Sequence, residues 1–331
     1  MPDTPPPLHF GFLLIPQFSM LSLAGVLEPL RMANRMAEAH LYHWDLFTPG
    51  DEPAAASNGI EFQPTARMAD PGSLDTLIVV ASIDVNRYCT PPILHWLQRL
   101  AARGMNLGAT SVGSLILAHA GLLRGYRSTV HWENIDGLRE EFPELNLTNE
   151  LYEIDGQRLT CSGGTSGLDM MMHLISQRHG YRLAAAVAEQ CVHPEIRKSQ
   201  AGQRLSLRNR LDVTNPHLLA AIECMELHLE DTLDCSQIAD QIGLSARHMS
   251  RLFRTHLGVS VSIFYLNLRL ERAQALLEQT ALPTPEIGVA CGFVSTSHFI
   301  RCFRRRYGHT PQAARKNHRG RYTTSASKLA D

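Results

Sequence analysis

Two stretches of the chain, Ser236 to Gly258 and Pro285 to Gly308, follow one pattern. Ile238 and Gly243 recur as Ile287 and Gly292 at an offset of 49, whereas Ser245, Phe253, Arg254 and Gly258 recur as Ser295, Phe303, Arg304 and Gly308 at an offset of 50. The second copy therefore carries one added residue at its turn. Each copy reads as helix, tight turn, helix. Ile238, Ala239 and Ile242 make a short apolar face, Gly243 turns the chain, and Ser245 caps a second helix packed through Met249, Leu252 and Phe253. The second copy repeats this with Ile287, Val289 and Ala290, then Gly292 and Ser295, then Phe299, Cys302 and Phe303. This is helix-turn-helix grammar, in which one helix braces another against the major groove of DNA; a pair of plain helical hairpins is the alternative.

Charge separates these two readings. From Gly292 to Arg321 there are eight Lys or Arg and no Asp or Glu, in a chain whose formal net charge is -1. Cations are concentrated where a phosphate backbone would lie. Off the apolar stripe stand Ala246, Arg247, Ser250 and Arg251 on the second helix of the first copy, and Ser295, Thr296, Ser297, Ile300, Arg301 and Arg304 on that of the second. N-terminal positions enter the groove first, so Arg247, Arg251, Thr296, Ser297 and Arg301 are expected at base edges, with Ser250 on the same face. Arg254, Arg304, Arg305 and Arg306 are expected at phosphates.

Residues 212 to 316 resemble the AraC/XylS DNA-binding domain. The stretches that carry the resemblance are Ile238 to Ser245, His248 to Arg254, Arg269 to Leu277, Cys291 to Phe299 and Phe303 to Gln312. It implies two helix-turn-helix units joined by a helix containing Leu266 to Glu278, reading successive major-groove segments on one face of the duplex. Val261 departs from the pattern, standing where the second copy has Pro311; this touches turn geometry rather than DNA contacts.

The front two thirds has another character. Continuous apolar runs at His9 to Pro16, Trp44 to Thr48, Thr76 to Ser82 and Met105 to Thr110 suit buried strands, interleaved with helices over Ser19 to Glu38 and Pro92 to Arg103. Buried strands alternating with helices predict a parallel α/β sheet. Ala109 to Gly113 then follows a strand and opens a helix over Leu115 to Ala120, the setting of a nucleophile elbow. With Ala109 in place of the first glycine, a simple N-cap at Ser111 remains the other reading.

This region resembles the ThiJ/PfpI-like, class I glutamine amidotransferase-like domain at the front of AraC-type regulators of the GlxA type. The residues that carry it are Phe18 to Leu21, Val26 to Arg35, Leu115 to Gly125, Thr129 to Glu133 and Thr160 to Asp169. The resemblance implies a flavodoxin-like sheet and a homodimer. Catalytic relatives carry Cys at the elbow, held as thiolate by a helix N-terminus and a neighbouring His or Glu; this chain has Ser111. A serine needs an active base. His131 with Glu28 or Glu133 is the arrangement that would supply one, giving a Ser111-dependent hydrolase or amidase as the alternative to a degenerate, non-enzymatic sensor. For a sensor, Glu28, Asp84, Ser111, His131 and Trp132 are the candidate lining of a pocket at the carboxyl ends of the strands. Carboxylates beside an aromatic ring suit a cationic effector. The resemblance implies an amino acid or quaternary amine.

The expected organisation is a sensing domain at 8–180, a linker at 181–211, a DNA-binding domain at 212–316 and a disordered tail at 317–331. Seven cysteines without a Cys-x-x-Cys, and no signal peptide, argue for a reduced cytoplasm. No metal-ligand spacing and no apolar run of about 20 residues occurs, so neither metal, cofactor nor membrane is expected. The chain reads as a cytoplasmic transcription regulator, an activator of a catabolic operon whose partners are double-stranded promoter half-sites, a small effector and RNA polymerase.

Overall fold

A computed structural model describes residues 6–204 and 207–316, and the chain divides into two compact units after Gln203. The expected tail, 317–331, lies outside the described residues.

The front unit runs β1 (Leu8–Leu14), α1 (Met20–Ala37), β2 (Tyr42–Phe47), β3 (Ala54–Ala55), β4 (Glu61–Phe62), β5 (Thr76–Ala81), α2 (Pro91–Ala102), β6 (Asn106–Ser111), α3 (Gly113–His119), β7 (Arg127–Thr129), α4 (Ile135–Glu141), β8 (Asn146–Thr148), β9 (Tyr152–Asp155), β10 (Arg158–Cys161), α5 (Ser166–His179) and α6 (Tyr181–Gln190). Six strands form one sheet in the order β2-β1-β5-β6-β10-β9. Every neighbouring pair is parallel except β10 and β9. This is a flavodoxin-like layered sheet with one antiparallel edge strand. Alternate residues of the central strands feed two apolar layers: Phe10, Phe12, Leu14, Ile78 and Val80 pack with α1, α5 and α6, while Leu13, Leu77, Val79 and Leu107 pack with α2 and α3. A strand covered by helices on both faces is apolar at nearly every position, which is why β1 from Phe10 and β5 from Leu77 are continuous apolar runs.

α1 starts and ends where its caps dictate. Ser19 accepts from the Ser22 N–H, and Glu38 closes the helix in the left-handed region.

The expected linker at 181–211 is corrected. α6 spans Tyr181–Gln190 and buries Ala184, Val187 and Ala188 in the front core, because these small apolar residues recur at helical spacing. From Glu195 to Gln203 the chain stays attached to the front unit through side-chain hydrogen bonds.

The second unit is helical: α7 (Leu207–Leu211), α8 (Pro216–Leu227), α9 (Cys235–Gln241), α10 (Ala246–Leu257), α11 (Val261–Gln279), α12 (Thr284–Ala290) and α13 (Thr296–Tyr307). Leu207 of α7 is buried with Val213 and Leu218, so the end of the expected linker belongs to this core. Two apolar clusters serve the two halves. Ile238, Met249 and Phe253 lie in one; Ile287, Phe299 and Phe303 lie in the other, and α11 contributes to both.

Candidate nucleic-acid interface and ligand cavity

The two helix pairs are built by the same local devices. Asp234 and Gln237 form a capping box at the start of α9, and Ser245 and Ser295 cap α10 and α13 by accepting from His248 and His298. Gly258 and Gly308 close both helices in the left-handed conformation. Burial of Met249, Leu252 and Phe253 inward, and of Phe299 and Phe303 inward, turns the opposite faces of α10 and α13 to solvent. There Arg247, Arg251, Arg254, Thr296, Ser297, Arg301, Arg304 and Arg305 are exposed and Ser250 is half-buried. On α13, Ser297, Ile300, Arg301, Arg304 and Arg305, with Thr310, line an open groove of about 660 Å³.

The cations of this unit are not equivalent. Arg301, Arg304 and Arg305 make no ion pair among the described residues. Arg306, expected at phosphate, instead meets Glu271 at 2.6 Å and lies 5.5 Å from the centre of the Tyr307 ring. Arg269 was not singled out as functional by spacing, yet it organises the second turn. Its Nε and Nη2 donate to the carbonyls of Cys291 and Gly292, both at 2.7 Å, and its guanidinium covers the Phe293 ring at 4.2 Å. Burial lowers its pKa from the ordinary arginine value. Arg315 likewise donates to carbonyls, those of Leu277 and Leu282.

In the front unit β6 ends at Ser111, which takes φ +53 at the strand-to-helix turn. That conformation is costly for a residue with a side chain, and it is the elbow geometry expected from Ala109 to Gly113. Gly163, at φ +86, lies against it; a Cβ there would stand 2.6 Å from Ser111 Cβ. Beyond Gly163 is a cavity of about 200 Å³ lined by His131, Trp132, Leu151, Ser162 to Ser166, Arg197 and Gln203.

The five candidate lining residues separate. His131 and Trp132 are on the cavity wall and Ser111 stands behind Gly163. Glu28 is not on the wall. It accepts from Arg31 Nε and Nη2 at 2.8 and 2.6 Å, one helical turn away on α1. Asp84 is not on the wall either: in the left-handed region, it precedes the short turn Val85–Tyr88 and lies 3.9 Å from Arg87. The α1 residue that does reach the site is Ser22, buried, whose Oγ accepts from the Gly164 N–H.

His131 Nδ1 lies 3.6 Å from Glu133. Burial lowers the pKa of the ring from 6.5, with Glu133 pulling the other way. No hydrogen bond joins Ser111 Oγ to a histidine among the described residues. Cys161, one strand over, is wholly buried, and burial pushes its thiol up to about 11 against the lowering contacts of Gly163, Ser166 and Ser111. It stays protonated at neutral pH and is no substitute for an elbow thiolate.

Sequence spacing also missed the groups that hold the wall. Asp169 is wholly buried and receives Arg197 Nη2 at 2.6 Å, Nε at 3.0 Å and the Arg197 N–H at 2.8 Å, with His193 Nε2 at 2.9 Å. Gln203 Nε2 donates to Thr129 Oγ1 and to the carbonyls of Val130 and Glu150. The only advance signal was Asp169 itself, an acid within an otherwise small and apolar motif. Among the described residues there is no cluster of three metal-ligating side chains, and no helix is long and apolar enough to cross a membrane.

A paired helix-turn-helix unit with exposed cations, following in the chain a flavodoxin-like unit with a cavity, defines a DNA-binding regulator with an added α/β domain. Residues 238–317 match the family model described as a helix-turn-helix domain. The chain is 43% identical over 306 residues to the HTH-type transcriptional regulator CdhR of Pseudomonas aeruginosa, covering 92% of this chain and 91% of that protein. It is 37% identical to GlxA of Rhizobium meliloti, covering 93% and 95%. An isonitrile hydratase of Pseudomonas putida is 31% identical over 183 residues, 54% of this chain and 76% of the enzyme. Among solved structures, an AraC family transcriptional regulator from Pseudomonas putida matches with TM-score 0.51 and 26% identity, over 56% of this chain and 100% of that one. A ThiJ/PfpI family protein from Pseudomonas syringae shares the fold, at TM-score 0.51 and 22% identity over 73% and 96% of the two chains. The chain belongs to the AraC-type transcriptional regulators of the GlxA kind.

Proposed function

We propose that this regulator senses a small metabolite in the His131, Trp132 and Arg197 cavity, binds it without turning it over, and as a homodimer on promoter half-sites activates a catabolic operon by engaging RNA polymerase. The observation that carries the reading is the cavity wall. Arg197 and Gln203 lie on the segment that runs directly into the DNA-binding unit, so a ligand touching them acts on that segment. A ligand alters transcription only through unequal affinity for two arrangements of the protein, and the segment carrying Arg197 and Gln203 is both cavity wall and the stretch of chain before the second unit.

The lining also changes the ground for the effector class, since Glu28 and Asp84, the carboxylates expected to favour a cation, are not on it. It contains no carboxylate; it offers the Arg197 guanidinium, the start of α5 and the Trp132 ring. A betaine or an α-amino acid carries both complements, a carboxylate for the donors and an ammonium for the ring face. Non-catalysis is supported by the elbow serine without a hydrogen-bonded histidine and by the protonated Cys161. The hydrolase reading draws on the strained Ser111 backbone and on the isonitrile hydratase relative.

The test is a thermal-shift and turnover screen with amino acids, betaines and their amides. A ligand at about 100 times its Kd raises stability by roughly 2.7 kcal/mol. The expected result is stabilisation by a carboxylate compound recovered unchanged, lost in Trp132→Ala and Arg197→Gln. Consumption that vanishes in Ser111→Ala would establish the hydrolase instead. A reporter fused to the selected operator reads the sign of regulation.

A further inference from the structure

The residue added between the two copies is Val294. The Leu244 N–H bonds to the Ala239 carbonyl and the Phe293 N–H to the Gly288 carbonyl, both at 2.9 Å, so Phe293 occupies the place of Leu244 at the offset of 49. Ser295 and Ser245 are then equivalent caps at the offset of 50, and Val294 has no counterpart in the first copy. Phe293 is held inward: it is 3% exposed, 5.1 Å from the Phe299 ring and covered by Arg269 at 4.2 Å. With its neighbour pinned, Val294 is driven outward to 105% exposure, above every other large apolar residue of the described chain.

It stands at the leading end of α13, beside Thr296 and Ser297. Among the base edges of the major groove the one apolar group is the 5-methyl of thymine. A β-branched side chain with a single torsion loses little freedom on contact.

Resting on the reading that α13 enters the major groove, we propose that Val294 reads a thymine 5-methyl, giving the second helix-turn-helix a specificity contact that the first lacks. Thr296, Ser297 and Arg301 supply polar recognition next to it; Val294 supplies a contact that hydrogen bonds cannot.

The test starts from an operator selected by the full-length protein from random duplexes, after which each thymine is replaced in turn by deoxyuridine, which removes only the methyl. The expected result is one thymine whose replacement weakens wild-type binding about fourfold, the worth of one buried carbon, and leaves Val294→Ala unaffected. Val294→Thr, which keeps one methyl, should retain part of the preference. The exposed position makes Val294→Ala fold as wild type, checked by an unchanged Tm. Equal deoxyuridine penalties in wild type and Val294→Ala, or none at any thymine, overturn the proposal while the DNA-binding reading stands. Unchanged DNA binding with lost transcription in Val294→Ala also overturns it, assigning Val294 to a protein partner. Failure to select any sequence removes both the proposal and the sequence-specific reading beneath it.

Discussion

Arginine does opposite work in the two units. At the front cavity, Arg197 is tied by two side-chain nitrogens and its own N–H to Asp169, which is wholly buried. On α13, Arg301, Arg304 and Arg305 are exposed and without ion pairs among the described residues. A carboxylate out of water must be paired, so Asp169 holds Nε and Nη2 of Arg197 and fixes where the remaining Nη1 stands; a guanidinium left in water keeps all of its donors for a phosphate or a guanine. Arg269 and Arg315, which donate to backbone carbonyls, lie on the structural side of this divide although they sit within the DNA-binding unit; Arg306, in an exposed pair with Glu271, lies between. A basic run in a sequence therefore overcounts the cations available to DNA.

Breaking the buried side should produce the largest effect. Asp169→Ala leaves Arg197 and His193 without their acceptor and is expected to cost about 3 to 5 kcal/mol of front-unit stability, measured by denaturant unfolding. An unchanged midpoint would place the pair among surface ion pairs of little worth.

The turns of the two helix pairs give a sharper contrast. Gly292 is at φ +72, and a Cβ there would stand 2.5 Å from Thr232 Cγ2 and 2.8 Å from the carbonyl oxygens of Leu229 and Glu230; Gly243, at φ +69, has nothing within 4 Å. Gly292→Ala should cost about 2 to 4 kcal/mol and Gly243→Ala about 1, since the latter meets only backbone strain. Equal costs would mean that the crowded site relaxes.

On the exposed side, stability should stay still while binding moves. Arg301→Ala is expected to lose about 1 to 3 kcal/mol at one base position, and Arg305→Ala to weaken all sequences alike and lower the salt slope by about one. Quantitative binding to the selected operator and its single-base variants at several salt concentrations distinguishes the two roles.

The smallest effect is acid sensitivity at the front. Burial lowers the pKa of both His131 and His179 from 6.5, so the unfolded chain takes up protons first. Their contribution to stability is intact above that value and declines as pH falls through the lower folded values. Melting followed downward from neutral pH should show a fall that is shallower in His131→Gln.

Much of the architecture was legible because it rests on short-range rules. The repeat, the serine caps and the apolar stripes of α9, α10, α12 and α13 involve residues within one or two helical turns. β1, β5 and β6 announced themselves as apolar runs because both faces of the sheet are covered. The two-residue strands β3 and β4, and the polar β7 to β10, were not legible: such strands exist only through partners elsewhere in the chain. The supposed linker failed for the same reason, since α6 is apolar enough to be helical but only the presence of α1 and α5 makes it core.

For the sites the division follows reach. The sequence alone determined that two helix pairs present cations and small polar residues outward, and that a serine occupies an elbow between strand and helix; both follow from periodicity and a local turn. Tertiary structure decided that His131 and Trp132 share a cavity with Arg197 and Gln203 while Glu28 and Asp84 face elsewhere, and that one added residue drives Val294 into solvent. Those outcomes depend on which distant groups a buried carboxylate or a crowded turn finds beside it, and that is settled by packing rather than by spacing along the chain.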